Sequence, residues 1–251
     1  MGLPQRRVGV DLLEVKYQYS DIGHRDENLD RFGHIKKDQW SFSYVIDGFV
    51  INSPHYVDSL KQQLDNLNHL PSNSTEKQII EAISSAISFD HKHSGKASVA
   101  IVVCLPNKMI TLTAGDTRVY LLTSLKRTTD HSQAQKMIDL GRSKASSLYQ
   151  HPLRKYLIKK LEPGCNIDEL TRNEHHSIEN IMLCSDGVWS CFNSDEDLYQ
   201  CVSKGHDTFT EQALLKRSVN RDNMTILWLE ISESQSKIQR YRETGHSPVS
   251  L

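Results

Sequence analysis

The sequence lacks the features that mark secreted, membrane-spanning or disulfide-stabilised chains. Its five cysteines are odd in number and form no CxxC pair, which favours reduced thiols in a cytosol. The longest apolar run, residues 97–105, is about half of the roughly 20 residues that a membrane helix needs. The first ten residues contain no apolar stretch of signal-peptide length. We therefore predict a soluble, cytoplasmic protein with no membrane insertion.

The chain also lacks a charge excess of either sign. Thirty basic residues stand against thirty-one acidic ones, which leaves a formal net charge of -1 over 251 residues. No overall field draws such a chain to nucleic acid or to an anionic membrane, so neither is expected as a partner. Any chemistry that depends on charge must be local. The sequence gives no indication of the oligomeric state.

Hydrophobic periodicity predicts strands and helices in the first half of the chain. A period of two indicates a strand over 41–46, and apolar residues three and four apart indicate helices over 57–67 and 79–87. Thr75 and Gln78 have the spacing of a capping box at the start of the second helix. Short breaks then separate three predicted strands of an antiparallel meander, over 97–105, 109–114 and 119–122.

The second half of the chain is predicted to contain helices over 134–140 and 153–161 and buried strands over 181–184 and 224–231. Strands on both sides of the helices, without strict βαβ alternation, favour an α+β layered domain over a doubly wound one. We predict a single domain over residues 1–232 and a polar, flexible tail over 233–251. No internal repeat is present.

Aspartates recur where predicted strands end in turns. Asp47, Asp116 and Asp186 each follow a strand, Asp222 precedes the last strand, and Asp30 closes a polar segment. Carboxylates gathered at one rim of a sheet repel each other, and hard cations such as Mg²⁺ or Mn²⁺ offset that repulsion because they prefer oxygen ligands. The alternative is that these are ordinary turn residues, since Asp tolerates turn geometry.

The order and the neighbours of these aspartates resemble the metal-dependent protein phosphatase family, PP2C or PPM, from about residue 23 to about residue 230. Seven segments carry the resemblance: HRDENLD (24–30), VIDG (45–48), GDTRVY (115–120), TDHS (129–132), HPLR (151–154), CSDGVW (184–189) and RDNMT (221–225). Each motif alone is weak, but all seven in the family's order are specific. The resemblance implies a four-layer αββα sandwich, in which two antiparallel sheets are flanked by helices.

The resemblance also implies a metal centre with two Mn²⁺ or Mg²⁺ ions and a weaker third. Asp47 matches the residue that bridges two ions, and the Gly48 carbonyl is expected to complete the shell of the second. Asp186 and Asp222 match the other ligands of the first ion. Asp30 matches a residue that reaches the second ion through water. Asp116 matches the residue that holds the third ion together with Asp186.

Arg25 matches the arginine that binds the substrate phosphate, a role that suits the planar fork of a guanidinium. Asp30, Asp47 and Arg25 are therefore the predicted catalytic residues. The implied reaction is hydrolysis of phosphoserine and phosphothreonine in proteins by water that the metal ions activate, without a covalent intermediate. The implied partners are a phosphorylated protein and a cognate Ser/Thr kinase, as in stand-alone bacterial members.

Two departures from the family's pattern leave alternatives open. Phe49 follows Asp47-Gly48 where members usually have Met or His and then two glycines, and Leu29 stands where Gln or Glu is general. Phe49 cannot donate a proton to the leaving alcohol. The altered loop permits a pseudophosphatase that binds or scaffolds phosphoproteins. A different two-metal hydrolase on another fold is a further alternative.

Overall fold

Two five-stranded antiparallel sheets form the centre of the molecule in the computed structural model, which describes residues 10–49, 54–89, 94–216 and 222–232. The first sheet has the strand order β1-β10-β9-β6-β7. Its strands are β1 (Leu13–Asp21), β6 (Arg118–Leu121), β7 (Lys126–Arg127), β9 (Ile181–Cys184) and β10 (Met224–Ile231). The second has the order β2-β3-β4-β5-β8. Its strands are β2 (Asp30–Lys36), β3 (Ser41–Gly48), β4 (Ala97–Leu105), β5 (Lys108–Ala114) and β8 (Thr171–His175).

The helices form two groups, one beside each sheet. The α-helices are α1 (Pro54–Asp65), α2 (Glu76–Ile87), α3 (Gln133–Asp139), α4 (Asp186–Trp189), α5 (Asp195–Val202) and α6 (His206–Lys216), and short 3-10 helices span Asn66–His69, Ala145–Gln150 and Ile167–Glu169. Helix α2 begins with the predicted capping box, in which the Thr75 side chain accepts from the Gln78 backbone and the Gln78 side chain accepts from the Thr75 backbone. This reciprocal pair satisfies backbone donors that the first turn leaves free.

Three buried apolar clusters correspond to the three interfaces between four layers. One joins α1 and α2 to the second sheet, and its members include Leu60, Ile83 and Tyr44. One joins α4, α5 and α6 to the first sheet, around Trp189 and Phe209. The third lies between the sheets, where the members include Val45, Ala100, Val102, Leu183 and Leu227. The α+β class and the αββα sandwich are therefore confirmed.

Both faces of the central strands are buried, because each sheet has helices on one side and the other sheet on the opposite side. In β4 the side chains of Val99, Ile101 and Val103 belong to the helix-facing cluster, and those of Ala100 and Val102 belong to the cluster between the sheets. Strands in this position have nearly continuous apolar sequences, as residues 97–105 do.

The chain departs from the predicted antiparallel meander after β5. Strand β5 pairs with β4 and β8, but β6 pairs with β7 and β9 in the other sheet. The segment 115–117 therefore crosses from one sheet to the other. The strand and the helix predicted after this crossing are confirmed, with β6 at Arg118–Leu121 and α3 at Gln133–Asp139.

The helix predicted over 153–161 is wrong. This segment has no regular helix, and it forms isolated bridges in which Leu157 pairs with Ser132 and Leu161 pairs with Ala97. The backbone N–H of Ile158 donates to the His131 carbonyl, and that of Leu161 donates to the Ala97 carbonyl. These long-range bonds replace the local ones that a helix needs. The helix prediction rests on Pro152 before it and Pro163-Gly164 after it, which delimit the segment but do not specify its conformation.

The predicted tail at 233–251 and Arg221 of the last motif lie outside the described residues. The five cysteines lie within them, and all five are buried free thiols. Among the described segments, no helix combines the length and apolar character needed to cross a bilayer.

Candidate active site

A cleft of about 560 Å³ opens where the two sheets end side by side. The residues that line it come from both sheets and from the loops between them. Six of the seven residues predicted for the site line it directly: Arg25, Asp47, Gly48, Asp116, Asp186 and Asp222. The seventh, Asp30, is buried immediately behind the cleft wall, opposite Asp47 on the adjacent strand.

Asp30 and Asp47 are cross-strand partners at the shared end of β2 and β3. The Ser185 hydroxyl donates to Asp30 Oδ2 at 2.7 Å, whereas Asp30 Oδ1 is buried and has no hydrogen-bond partner among the described residues. A buried carboxylate oxygen without a donor is costly unless a cation or a proton compensates it. The Asp30 side chain therefore has coordination capacity that these contacts do not use.

The crossing between the sheets positions Asp116. Gly115 has a positive φ of 94°, a conformation that favours glycine, and a side chain there would overlap Ser98. The Ser98 hydroxyl accepts from the backbone N–H groups of Asp116 at 2.8 Å and Thr117 at 2.7 Å. Ser98 on β4 thus fixes the turn that carries Asp116 into the cleft.

Asp186 and Asp222 lie together because β9 and β10 are adjacent strands. The backbone N–H of Ser185 donates to the Thr225 carbonyl at 3.1 Å, so the start of α4 is held against the start of β10. Gly187 is required at this contact, since a Cβ there would overlap the backbone carbonyl oxygen of Asn223.

Asn223 fastens the loop that carries Arg25. Its side-chain amide donates to the carbonyls of Ile22 at 2.7 Å and Glu27 at 3.0 Å, and its Oδ1 accepts from the backbone N–H of Leu29 at 2.9 Å. The Arg25 side chain, held over the cleft by this loop, is 51% exposed and donates to Asp222 at 2.7 Å. A second arginine, Arg154, lies 3.5 Å from Asp186.

A buried arginine supports the site from behind. Arg118 is fully buried and forms two hydrogen bonds of 2.7 Å to the two carboxylate oxygens of Asp130. Its guanidinium lies 3.5 Å from the centre of the Trp189 ring, and the Trp189 indole N–H donates to the Asp116 carbonyl at 2.9 Å. Trp189 ends α4, which begins at Asp186. The indole therefore connects the two elements that present Asp116 and Asp186.

Four aspartates of the site have raised pKa values. Burial is the main cause at Asp30, Asp47, Asp116 and Asp186, and neighbouring carboxylates add to it. Together they raise the pKa of Asp30 to about 7 and that of Asp186 to about 6. Burial, then the charges of Asp30, Asp186, Asp116 and Asp222, raise the pKa of Asp47 well above its ordinary value. The charges of the other four aspartates therefore all act on Asp47.

The donor chemistry of this cluster fits hard divalent cations. It offers several carboxylates, an uncompensated buried oxygen on Asp30 and the backbone carbonyl of Gly48, all of which are oxygen ligands. Within the ranges that the structure describes, no three His, Cys, Asp or Glu side chains already form a closed metal-binding group. Asp222 and Asp186 instead contact Arg25 and Arg154, so cation binding would require these contacts to loosen.

Sequence reasoning missed the residues that hold the site together. Ser98, Asn223, Trp189 and Arg118 act through contacts between residues far apart in the chain, which motif spacing does not reveal. Lys155 lines the cleft, but the sequence placed it on a helix that does not form. The signals for Asn223 and Trp189 were present, because both belong to motifs that carry an aspartate of the site.

No family model matches the sequence, and the search of curated proteins found no match. Solved structures with the same fold were found. A serine/threonine phosphatase of S. agalactiae is 16% identical with a TM-score of 0.73, covering 88% of this chain and 100% of that one. The catalytic domain of the serine/threonine phosphatase PstP, in complex with two manganese ions, is 19% identical with a TM-score of 0.69, covering 89% and 100%.

The PPM Ser-Thr phosphatase MsPP of Mycobacterium smegmatis, in complex with cacodylate, is 16% identical with a TM-score of 0.66, covering 87% of this chain and 99% of that one. At these identities the similarity establishes the fold. The chain therefore has the fold of the PPM serine/threonine phosphatases over nearly the whole length of those proteins.

Proposed function

We propose that this chain is a metal-dependent protein phosphatase that hydrolyses phosphoserine and phosphothreonine with the aid of Mn²⁺ or Mg²⁺. The observation that carries the proposal is the convergence of five aspartates from both sheets on one cleft that also contains Arg25. The PPM fold is one whose solved members include a phosphatase with two manganese ions, which supports the same assignment.

Asp47 would contribute to both ion sites. Asp186 and Asp222 would hold the first ion, and the Gly48 carbonyl would contribute to the second. Asp30 would act on the second ion through water, and Asp116 would join Asp186 at a third. When bound, such ions supply a nucleophilic water near neutral pH and neutralise charge on the phosphoryl oxygens.

Arg25 would bind and orient the phosphate. Its guanidinium already extends over the cleft and pairs with a carboxylate at 2.7 Å, and the same planar donors can bind two phosphoryl oxygens. Cation binding at Asp222 would free these donors. Because Arg25 is half exposed, its side chain can turn from Asp222 to a phosphate without disturbing the core.

The proposed setting is a bacterial type of cytoplasmic enzyme that opposes a Ser/Thr kinase. The support is the resemblance of the seven motifs and the fold shared with bacterial phosphatases. A pseudophosphatase is the second candidate, favoured by Phe49, which follows Asp47-Gly48 and carries no proton for the leaving alcohol.

Hydrolysis of a phosphothreonine peptide by the purified protein, with Mn²⁺, with Mg²⁺ and with EDTA, tests the proposal. We expect phosphate release that requires a cation and is lost in Asp186→Ala. Asp168→Ala, which removes an exposed carboxylate in the 3-10 helix Ile167–Glu169 outside the cleft, serves as the matched control and should retain activity. Cation binding without turnover would indicate the pseudophosphatase, and full activity in Asp186→Ala would refute the proposed centre.

A further inference from the structure

Three apolar residues are part of the cleft lining, and we call them its apolar wall. Leu29, Phe49 and Leu157 come from three different parts of the chain: the loop before β2, the end of β3, and the segment after the 3-10 helix Ala145–Gln150. Phe49 is 41% exposed. Covering an exposed aromatic side chain with an apolar group is energetically favourable, because apolar surface is removed from water.

Backbone contacts hold this apolar wall next to the aspartates. The backbone N–H of Gly48 donates to the Leu29 carbonyl at 3.3 Å, and that of Phe49 donates to the Lys96 carbonyl at 3.2 Å. The next residue, Ala97, exchanges hydrogen bonds with Leu161. Phe49 and Leu161 therefore contact consecutive backbone positions at the start of β4, and Leu157 precedes Leu161 by four residues.

The charged groups of the cleft lie around this wall and set where a substrate's phosphate would go. Arg25, paired to Asp222, and Arg154, beside Asp186, are cations at the proposed metal-binding carboxylates. Lys155 is a further, exposed cation that lines the cleft. Asp26 and Glu27 also line the rim. Their negative charges offset Lys155 and oppose acidic residues beside the phosphate, so the apolar wall is the surface left to recognise the flanking residue.

We propose that Phe49, with Leu29 and Leu157, is a specificity subsite that binds an apolar side chain adjacent to the phosphorylated residue. This inference rests on the proposed function and names its substrate class: phosphoproteins with an aliphatic or aromatic residue next to phosphoserine or phosphothreonine. The subsite contacts a part of the substrate that does not react. Binding there is equal in the ground state and the transition state, so the preference should appear mainly in KM.

The test uses phosphothreonine peptides that differ only in the residue on either side of the phosphothreonine, Leu in one set and Asn in the other, because Asn is polar but is not repelled by Asp26 and Glu27. With Mn²⁺ bound, the unmodified protein is expected to favour the Leu peptides by about tenfold in kcat/KM, which corresponds to about 1.4 kcal/mol. Phe49→Ala should reduce that ratio to near one, and Phe49→Leu should keep part of it.

Phe89→Ala is the matched control, because Phe89 has a similar exposure of 45% and does not line the cleft. It should keep the full preference. Equal turnover of both peptide sets, a preference for the Asn peptides, or a Leu preference that survives in Phe49→Ala would each overturn the subsite while leaving the phosphatase intact. Failure to hydrolyse any peptide with cation bound would overturn the proposed function, and the subsite with it.

Discussion

Asp47 is the residue on which the charges of the other four aspartates act. The carboxylates of Asp30, Asp186, Asp116 and Asp222 all raise its pKa, in addition to the larger effect of burial. In the absence of a cation these like charges oppose folding, because the packing of the two sheets holds them close together. A residue that supports function can therefore reduce the stability of the metal-free protein.

Replacement of Asp47 by Asn is expected to separate these two effects. Activity with Mn²⁺ should fall by at least about a hundredfold, since a ligand and its charge are lost. In EDTA, the free energy of unfolding should rise by about 1 kcal/mol, because one like charge is removed. Urea unfolding measures the second quantity. Asp38→Asn, at an exposed turn, should change neither, and a destabilised Asp47→Asn protein would contradict the account.

His34 provides a pH test away from the cleft. Its Nδ1 lies 2.9 Å from the Ser43 hydroxyl, and its Nε2 is buried without a hydrogen-bond partner among the described residues. Burial, and then the charge of Lys36, lower its pKa to about 4 from the ordinary 6.5. Between these values the unfolded chain binds a proton that the folded chain does not, so stability falls as the pH drops through this window.

Between pH 7 and pH 4.5 the unmodified protein should therefore lose more stability than His34→Gln does. Gln keeps polarity and does not titrate, and the other histidines contribute equally to both proteins. Urea unfolding at several pH values gives the difference directly. A difference that stays constant across the window would show that the folded protein protonates His34 normally.

At the scale of elements, the Trp189 indole joins the turn of Asp116 to the helix that begins at Asp186. Its N–H donates to the Asp116 carbonyl at 2.9 Å while Arg118 stacks on its ring. Trp228 is also buried, but its indole N–H has no hydrogen-bond partner in the described parts of the chain. Trp228 therefore serves as the control for Trp189.

We expect Trp189→Phe to weaken Mn²⁺ binding about threefold to tenfold, because loss of a hydrogen bond of about 1 kcal/mol lets the two acidic elements move apart. Trp228→Phe should lose similar packing and leave Mn²⁺ affinity unchanged. Electron paramagnetic resonance of free Mn²⁺ measures the affinity of both. Equal affinity in the two variants would refute a positioning role for Trp189.

Elements with a strong local pattern could be predicted from the sequence, and those defined by distant contacts could not. Strands β4 and β10 are apolar on both faces, and α2 has both its period and its capping box. Strand β1 alternates buried or partly buried residues with exposed ones, a signal that the prediction did not use. The conformation of residues 153–161 is determined by backbone hydrogen bonds to His131 and Ala97, and local sequence spacing does not predict such bonds.

At the scale of the whole molecule, the site exists because two sheets end at the same place. Asp30 and Asp47 belong to the second sheet, whereas Asp186 and Asp222 flank strands of the first. Which residues belong to the site could be predicted, since they occur in recognisable motifs. Their convergence depends on the packing of Val45, Ala100 and Leu227 between the sheets, which is non-local and has no signature in any single segment.

The central claim is that these aspartates together form a divalent-cation centre. An anomalous-difference map at the manganese edge, from crystals of the protein soaked in Mn²⁺, tests it most directly. The account predicts manganese peaks in the cleft, one touching both Asp47 and Asp186, with Arg25 turned away from Asp222. A cleft without a manganese peak at saturating Mn²⁺, or with Arg25 still bound to Asp222 beside peaks only elsewhere on the surface, would contradict it.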